Sequence, residues 1–220
     1  MAVKLNHYWS IAPGMNDEYL KFISKKFIPG VNSLGLNTVA VWSVLIGAYS
    51  EIIMENTCND LETIEKALNT DKYKSLKTQL FKYVTHYMTK ILVKTNRMDS
   101  YSMDIRKDTI KFNQMWDVQT RKMEEYKEFV TRTYFPTLEE LGVSVAGEWE
   151  VLIGDGPVII CEGRVTDIDT LLRNLQSKKF RKAKSQLKKF VYSYRSRILT
   201  FHVKKVKGYK SESYQIITDH

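Results

Sequence analysis

From Leu5 to Ile11 the chain alternates, with Leu5, His7, Trp9 and Ile11 on one side and Asn6, Tyr8 and Ser10 on the other, the period of a strand. Ala12-Pro13-Gly14 ends it. Asp17 and Glu18 then place negative charge where a helix N-terminus favours it, and Tyr19, Phe22, Ile23 and Phe27 follow at helical spacing. Pro29 is expected to kink or restart this helix, and Gly35 suits the left-handed turn after it. Leu36 to Gly47 and Tyr49 to Glu55 read as two strands of a hairpin. A helix opens at Asn59, read as its cap with Glu62 three residues on, and carries Leu61, Ile64 and Leu68 on one face. A longer helical pattern follows through Tyr73, Leu76, Leu80, Val84 and Tyr87, and Lys90 to Thr95 alternates again as a fourth strand. The order is β-α-β-β-α-β.

The same order then recurs. Trp42-Ser43-Val44-Leu45-Ile46-Gly47 returns as Trp149-Glu150-Val151-Leu152-Ile153-Gly154, five of six residues identical, and the offset of 107 positions holds without a gap. Phe112, Gln114, Trp116 and Val118 match Leu5, His7, Trp9 and Ile11; Tyr126 and Phe129 match Tyr19 and Phe22; Pro136 and Gly142 match Pro29 and Gly35. Further on, Val191, Tyr194 and Ile198 match Val84, Tyr87 and Ile91. We read a tandem duplication: a ferredoxin-like repeat over 1–97, a linker over 98–108, a second repeat over 109–205 and a polar tail over 206–220, in which Tyr214 to Ile217 can add an edge strand. What the halves share is mainly apolar residues at helix or strand period and Gly or Pro at breaks, so the repeat speaks first of fold.

Composition adds little to this and excludes a good deal. With 43% hydrophobic and 27% charged residues in 220, the chain has the balance of a globular protein. No apolar run approaches the roughly 20 residues of a membrane span, and the N-terminus lacks the apolar core of a secretory signal, so a cytoplasmic location is expected. Cys58 and Cys161 occupy non-equivalent positions and neither belongs to a closely spaced Cys or His set, which argues against a disulfide framework or a metal site. Gly154-Asp155-Gly156-Pro157 lacks the helix and Lys-Ser/Thr of a phosphate loop and reads as a hairpin turn.

Each half resembles the dimeric α/β-barrel superfamily, close to its NIPSNAP-like branch. The residues that carry the likeness are a Tyr/Trp-bearing first strand, a Pro-Gly turn, a helix ending in Leu-Gly, a Trp-to-Gly strand, and a Tyr followed by an Arg/Lys-Ile-Leu strand. The resemblance implies an α+β fold in which two ferredoxin-like units pack sheet to sheet, here as an intramolecular pseudo-dimeric barrel, with the ligand pocket between sheet and helices. The chain is then a monomer with an internal pseudo-dimer or a further homodimer. Members of the superfamily include haem-degrading and quinone-forming monooxygenases, isomerases, lyases and proteins of no known activity. The Asn, His and Trp set of the haem-degrading members is not recognisable here, so no cofactor is identified and haem is only an alternative.

Function must be sought in particular side chains. His86, beside Tyr87, is a candidate base, but helical geometry points it off the core face. His7 shares a strand face with Trp9, as Gln114 does with Trp116, an arrangement suited to orienting a flat ligand and equally to a satisfied polar core residue. Trp42 and Trp149 are expected to fill the space between helices and sheet, where with Trp9, Trp116, Tyr87 and Tyr194 they can also wall a ligand pocket. Glu148 and Glu150 fall on the opposite strand face, where the first repeat has Val41 and Ser43, and a paired acid/base role is conceivable there. Lys178, Lys179, Arg181, Lys182, Lys184, Lys188 and Lys189 give the last helix a basic face. With the formal charge of +9 it suggests anion or partner binding, although no interleaved aromatics point to nucleic acid. Three readings follow: a NIPSNAP-like tandem barrel protein of unassigned activity binding a small, flat or apolar molecule; a cofactor-independent or haem-dependent monooxygenase; and an anion- or partner-binding scaffold. The matching strands diverge where Val41 and Ser43 of the first copy align with Glu148 and Glu150 of the second, and a single site is expected in that asymmetry.

Overall fold

The computed structural model describes residues 3–47, 51–98, 105, 108–207 and 212–217. Most of the proposed 98–108 linker therefore lies outside the described residues, as do parts of the tail. The chain divides into two compact units, one of Met1–Val44, Ala48–Val93 and Phe201–His220, the other of Leu45–Gly47 and Lys94–Thr200. In the first unit the order is β1 (Val3–Ile11), α1 (Asn16–Phe22), α2 (Ile28–Asn32), β2 (Asn37–Ile46), β3 (Ile52–Cys58), α3 (Leu61–Asn69), α4 (Asp71–Leu80) and β4 (Val84–Lys94). In the second it is β5 (Ile110–Val118), α5 (Met123–Phe129), α6 (Phe135–Glu140), β6 (Ser144–Ile153), β7 (Ile159–Val165), α7 (Ile168–Leu175), α8 (Lys178–Leu187) and β8 (Val191–Lys207). The strands run antiparallel, ordered β2-β3-β1-β4 and β6-β7-β5-β8. The last residues of β8 pair with β9 (Glu212–Ile216) and pack into the first unit, whose core includes Val203 flanked by Tyr214 and Ile216.

Local chemistry explains the elements. Between α1 and α2 the helix widens to a π-turn over Ile23–Phe27, and between α5 and α6 over Val130–Tyr134. Each widening comes just before a proline, Pro29 or Pro136, whose ring would clash with the carbonyl four residues back in a regular α-helix. Gly35 (φ 84°) and Gly142 (φ 73°) follow in the left-handed region. Asp60, rather than Asn59, caps α3: its carboxylate accepts from the Thr63 amide at 2.8 Å and hydroxyl at 2.7 Å. Thr70 and Ser177 cap α4 and α8 in the same way.

The long helix expected through Val84 and Tyr87 stops at Leu80, and both residues belong to β4; Val191 and Tyr194 likewise belong to β8. A β-bulge accounts for the misleading spacing. His86 (φ 53°) and Ser193 (φ 54°) take the left-handed conformation, and the register beside them slips between Tyr8 and Ser10 and between Met115 and Asp117. The extra residue puts Val84 and Tyr87 three positions apart on one sheet face, a spacing that imitates a helix.

Both faces of each sheet are buried. One packs on the helices through Leu5, Trp9, Val41 and Met54 in the first unit and Phe112, Trp116 and Cys161 in the second. The other carries buried polar residues, Lys4, Asn6, Glu55 and Lys90, matched in the second unit by Lys111, Asn113, Glu162 and Arg197. There Lys111 Nζ pairs with Glu162 Oε1 at 3.2 Å. Trp42 and Trp149 belong to this second face, not to the helix side: Trp42 stacks on Phe201 at 4.4 Å and donates to Glu55 Oε2 at 3.0 Å. No helix among the described residues is long and apolar enough to cross a membrane.

Candidate functional site

The helix-facing side of each sheet gathers aromatic rings around one polar side chain of the unit's first strand. In the first unit that residue is His7. Its Nδ1 meets the Tyr87 hydroxyl at 2.9 Å, and Tyr87 meets the Tyr73 hydroxyl at 3.1 Å. Trp9, Phe27, Tyr73 and Tyr87 surround the imidazole with centroids 6.0–6.4 Å away. The other ring nitrogen, Nε2, is buried and has no hydrogen-bond partner among the described residues. Burial, helped by the positive charge of Lys77, pushes the imidazole pKa down to about 3, so His7 is neutral at physiological pH.

Gln114 takes this place in the second unit. Its Oε1 accepts from the Tyr134 hydroxyl at 2.5 Å and from the Tyr194 hydroxyl at 2.8 Å, while Nε2 is buried without a partner among the described residues. In both units a tyrosine from the bulged strand lies parallel to an indole. Tyr87 lies 12° from the plane of Trp9 with centroids 6.4 Å apart, and Tyr194 lies 4° from Trp116 at 6.1 Å. Burial raises the pKa of both phenols, so both remain protonated donors.

The units differ beside the indole. Trp9 Nε1 donates to the Tyr19 hydroxyl at 3.0 Å, and the Tyr19 ring leans on His202 at 5.7 Å. Trp116 Nε1 donates to Tyr126 at 2.8 Å, and Tyr126 passes a short hydrogen bond to Glu148 Oε1. Glu148 is fully buried; its Oε2 also accepts from Thr95 Oγ1 at 2.7 Å and Arg97 Nη1 at 2.6 Å. Desolvation and the neighbouring carboxylate both push the Tyr126 pKa well up. These three hydrogen bonds engage both carboxylate oxygens of Glu148, so the array fixes Tyr126 and through it Trp116.

Of the residues singled out in the sequence, His7, Trp9 and Tyr87 come together in one unit and Trp116, Tyr194 and Glu148 in the other. Glu148 does face away from Trp149, but that is the helix side, since Glu148 registers with Cys161, which in turn registers with Gln114. Glu150 is exposed, whereas Glu148 is buried. His86 is not on a helix; it is exposed on its bulge, with Nδ1 3.1 Å from Thr85 Oγ1. On α8, Lys179 pairs with Glu140, Arg181 and Lys182 are exposed, and Lys188 and Lys189 lie beyond the helix end. Lys184 Nζ lies 4.4 Å from the Tyr194 ring centroid. Tyr19, Tyr126, Tyr73, Tyr134, Thr95 and Arg97 were not anticipated. The recurrence of Tyr19 as Tyr126 was a usable signal, whereas nothing in sequence marks Arg97 as a partner for Glu148.

Haem does not fit the arrangement around His7. Its free nitrogen is an axial donor in principle, but four rings enclose the imidazole on the helix side, where a macrocycle would have to lie. Among the described residues no cluster of His, Cys, Asp or Glu is arranged to hold a metal ion.

Solved structures share this helix-backed antiparallel architecture. An inferred monooxygenase of Fusobacterium nucleatum aligns over 100% of this chain and 97% of its own with TM-score 0.63 and 11% identity. An inferred chlorite dismutase, TA0507, aligns over 90% and 94% with TM-score 0.61 and 10% identity. An uncharacterised NIPSNAP domain protein of Burkholderia xenovorans covers 44% of this chain and 96% of its own at 16% identity and TM-score 0.36. No protein-family model and no curated protein sequence matches the chain.

Proposed function

We propose that the protein binds a small, flat, mostly apolar molecule carrying one hydrogen-bonding oxygen, held between sheet and helices against the indole of Trp9 or Trp116. The observation that carries this reading is a pair of buried nitrogens without partners, His7 Nε2 and Gln114 Nε2, at positions 107 residues apart. Leaving a buried polar group unsatisfied costs about 1–3 kcal/mol, and a ligand oxygen offsets that cost. Tyr87 and Tyr194 lie over the indoles where a flat ligand would stack, and each follows a residue strained at positive φ. Such strain fits a side chain that swings aside to admit a ligand. The chain is, on this reading, a tandem duplication of a ferredoxin-like repeat, 1–97 and 109–205, forming a pseudo-dimeric barrel that works in the cytoplasm alone or as a homodimer.

A planar polycyclic ketone such as anthraquinone is a direct probe, read by quenching of tryptophan fluorescence. Saturable binding is expected. Gln114→Glu keeps the acceptor of the neighbouring tyrosines and removes the free nitrogen, and His7→Leu removes it from the first unit. Each weakens its own site about five- to tenfold, the worth of one hydrogen bond. Tyr87→Ala and Tyr194→Ala open the space above the indole and tighten binding. Absence of saturable quenching in the wild type and in both alanine variants rejects the reading.

A second reading, cofactor-independent monooxygenation at the second unit, draws support from the buried Tyr126–Glu148–Arg97 array and from the description of the Fusobacterium neighbour. Oxygen consumption with a reduced probe such as anthrone, lost in Glu148→Gln while anthraquinone binding persists, separates it from binding alone.

A further inference from the structure

At one end of the second unit's sheet, where β5 leaves, β8 enters and the β6–β7 hairpin turns, exposed aliphatic and cationic side chains collect. The Val151 amide donates to the Val158 carbonyl at 2.7 Å, the Val158 amide to Asp117 Oδ1 at 2.9 Å, and Asp117 registers with Tyr192. Val158, Asp117 and Tyr192 thus form one row across the strands. Val158 is 42% exposed and Tyr192 57%, and on the hairpin beside them Leu152 is 48% and Ile153 60% exposed. The Gln119 amide donates to the Phe190 carbonyl at 2.9 Å and Lys122 Nζ to the Lys189 carbonyl at 2.8 Å, which brings Arg121 and Lys122 against Lys188 and Lys189. Nearby carboxylates are Asp117, engaged by the Val158 amide, Asp155 at the turn, Glu124, paired with Lys127, and Glu125.

We propose that this end of the second unit docks on an anionic phospholipid bilayer, the hairpin residues Leu152 and Ile153 entering the interface and Arg121, Lys122, Lys188 and Lys189 meeting the headgroups. Adjacent aliphatic side chains on a turn, beside clustered cations, match a surface that is apolar inside and negative outside. Nucleic acid lacks an apolar layer for Leu152, Ile153 and Val158, and favours stacking rings, of which this end offers only Tyr192 among its described residues. The fold does not require the charge. At the positions 107 earlier the first unit has Gly14, Met15 and Phe81 for Arg121, Lys122 and Lys188, and Glu51 for Val158. The surrounding sequence points the same way, since from Thr170 to Ser211 there are fourteen Lys and Arg residues and no Asp or Glu.

The full chain is tested by sedimentation with phosphatidylcholine vesicles, with and without phosphatidylserine, and with single-stranded RNA in competition. Binding is expected only to the phosphatidylserine vesicles, weakening as salt rises. Lys188→Ala with Lys189→Ala reduces it about twenty-five-fold, given roughly fivefold per lysine near an anionic surface. Leu152→Ser with Ile153→Ser also reduces it, whereas Leu45→Ser with Ile46→Ser on the first hairpin leaves it unchanged. These side chains are exposed, so melting curves of the variants should overlay that of the wild type. Failure to bind phosphatidylserine vesicles, equal loss from both hairpins, or displacement by RNA overturns the proposal. None of these outcomes bears on the anthraquinone experiment, which reads a different part of each unit.

Discussion

His7 shows how burial sets the state of a group. The unfolded chain takes up a proton near pH 6.5, whereas the folded imidazole, enclosed by rings and near Lys77, resists protonation down to about pH 3. Within that window the unfolded state binds more protons, so stability falls as pH falls, by about 1.4 kcal/mol per pH unit at most. The variant His7→Gln, which installs the residue type of position 114, is expected to flatten this slope in denaturant titrations between pH 6 and 4 (roughly the middle of the window). An unchanged slope would place the acid sensitivity elsewhere. Glu148 allows a second test. Glu148→Val, the residue type of position 41, strands Arg97 and the Tyr126 hydroxyl and is expected to cost about 3–5 kcal/mol. Adding Arg97→Leu should restore a sizeable part of that loss, and strict additivity of the two changes would deny the coupling.

The bulged strands β4 and β8 link sequence to site at the scale of an element. A left-handed conformation costs an ordinary residue about 1–2 kcal/mol, and more when the side chain is β-branched. His86→Val and Ser193→Val, both at exposed positions, add the cost of β-branching to a penalty that His and Ser already carry, and should each destabilise the fold by on the order of 1 kcal/mol. Thermal melts within a degree of the wild type would contradict this. The bulge also explains what the sequence concealed. Strict alternation made β1 and the Trp-to-Gly hairpin strand readable, and Pro29 and Gly35 marked the restart and the end of the first helical segment. Val84 and Tyr87 read as helical because one extra strand residue gives two same-face positions a spacing of three. Trp42 went to the wrong face because alternation tells which residues share a side, not which side meets the helices. Arg97 was hidden because its partner Glu148 lies 51 positions away, with no local pattern to join them.

For the molecule as a whole, the residues after Thr200 complete the first unit. Val203 is fully buried there, Phe201 stacks on Trp42, and the Tyr214 hydroxyl accepts from Asn32 Nδ2 at 2.6 Å. Truncation after Thr200 removes two core side chains and should destabilise the first unit by about 4 kcal/mol or more. Hydrogen exchange would then rise in β1 and β3 before β5 and β7, and equal protection in both units would contradict the division. The central claim, a ligand held by the unsatisfied nitrogens of His7 and Gln114, is tested most directly by NMR of the protein labelled with nitrogen-15. On saturation with anthraquinone the account predicts marked shifts of the His7 Nε2 and Gln114 Nε2 resonances, and little change at the exposed His86 ring. Saturation that moves neither nitrogen would contradict it.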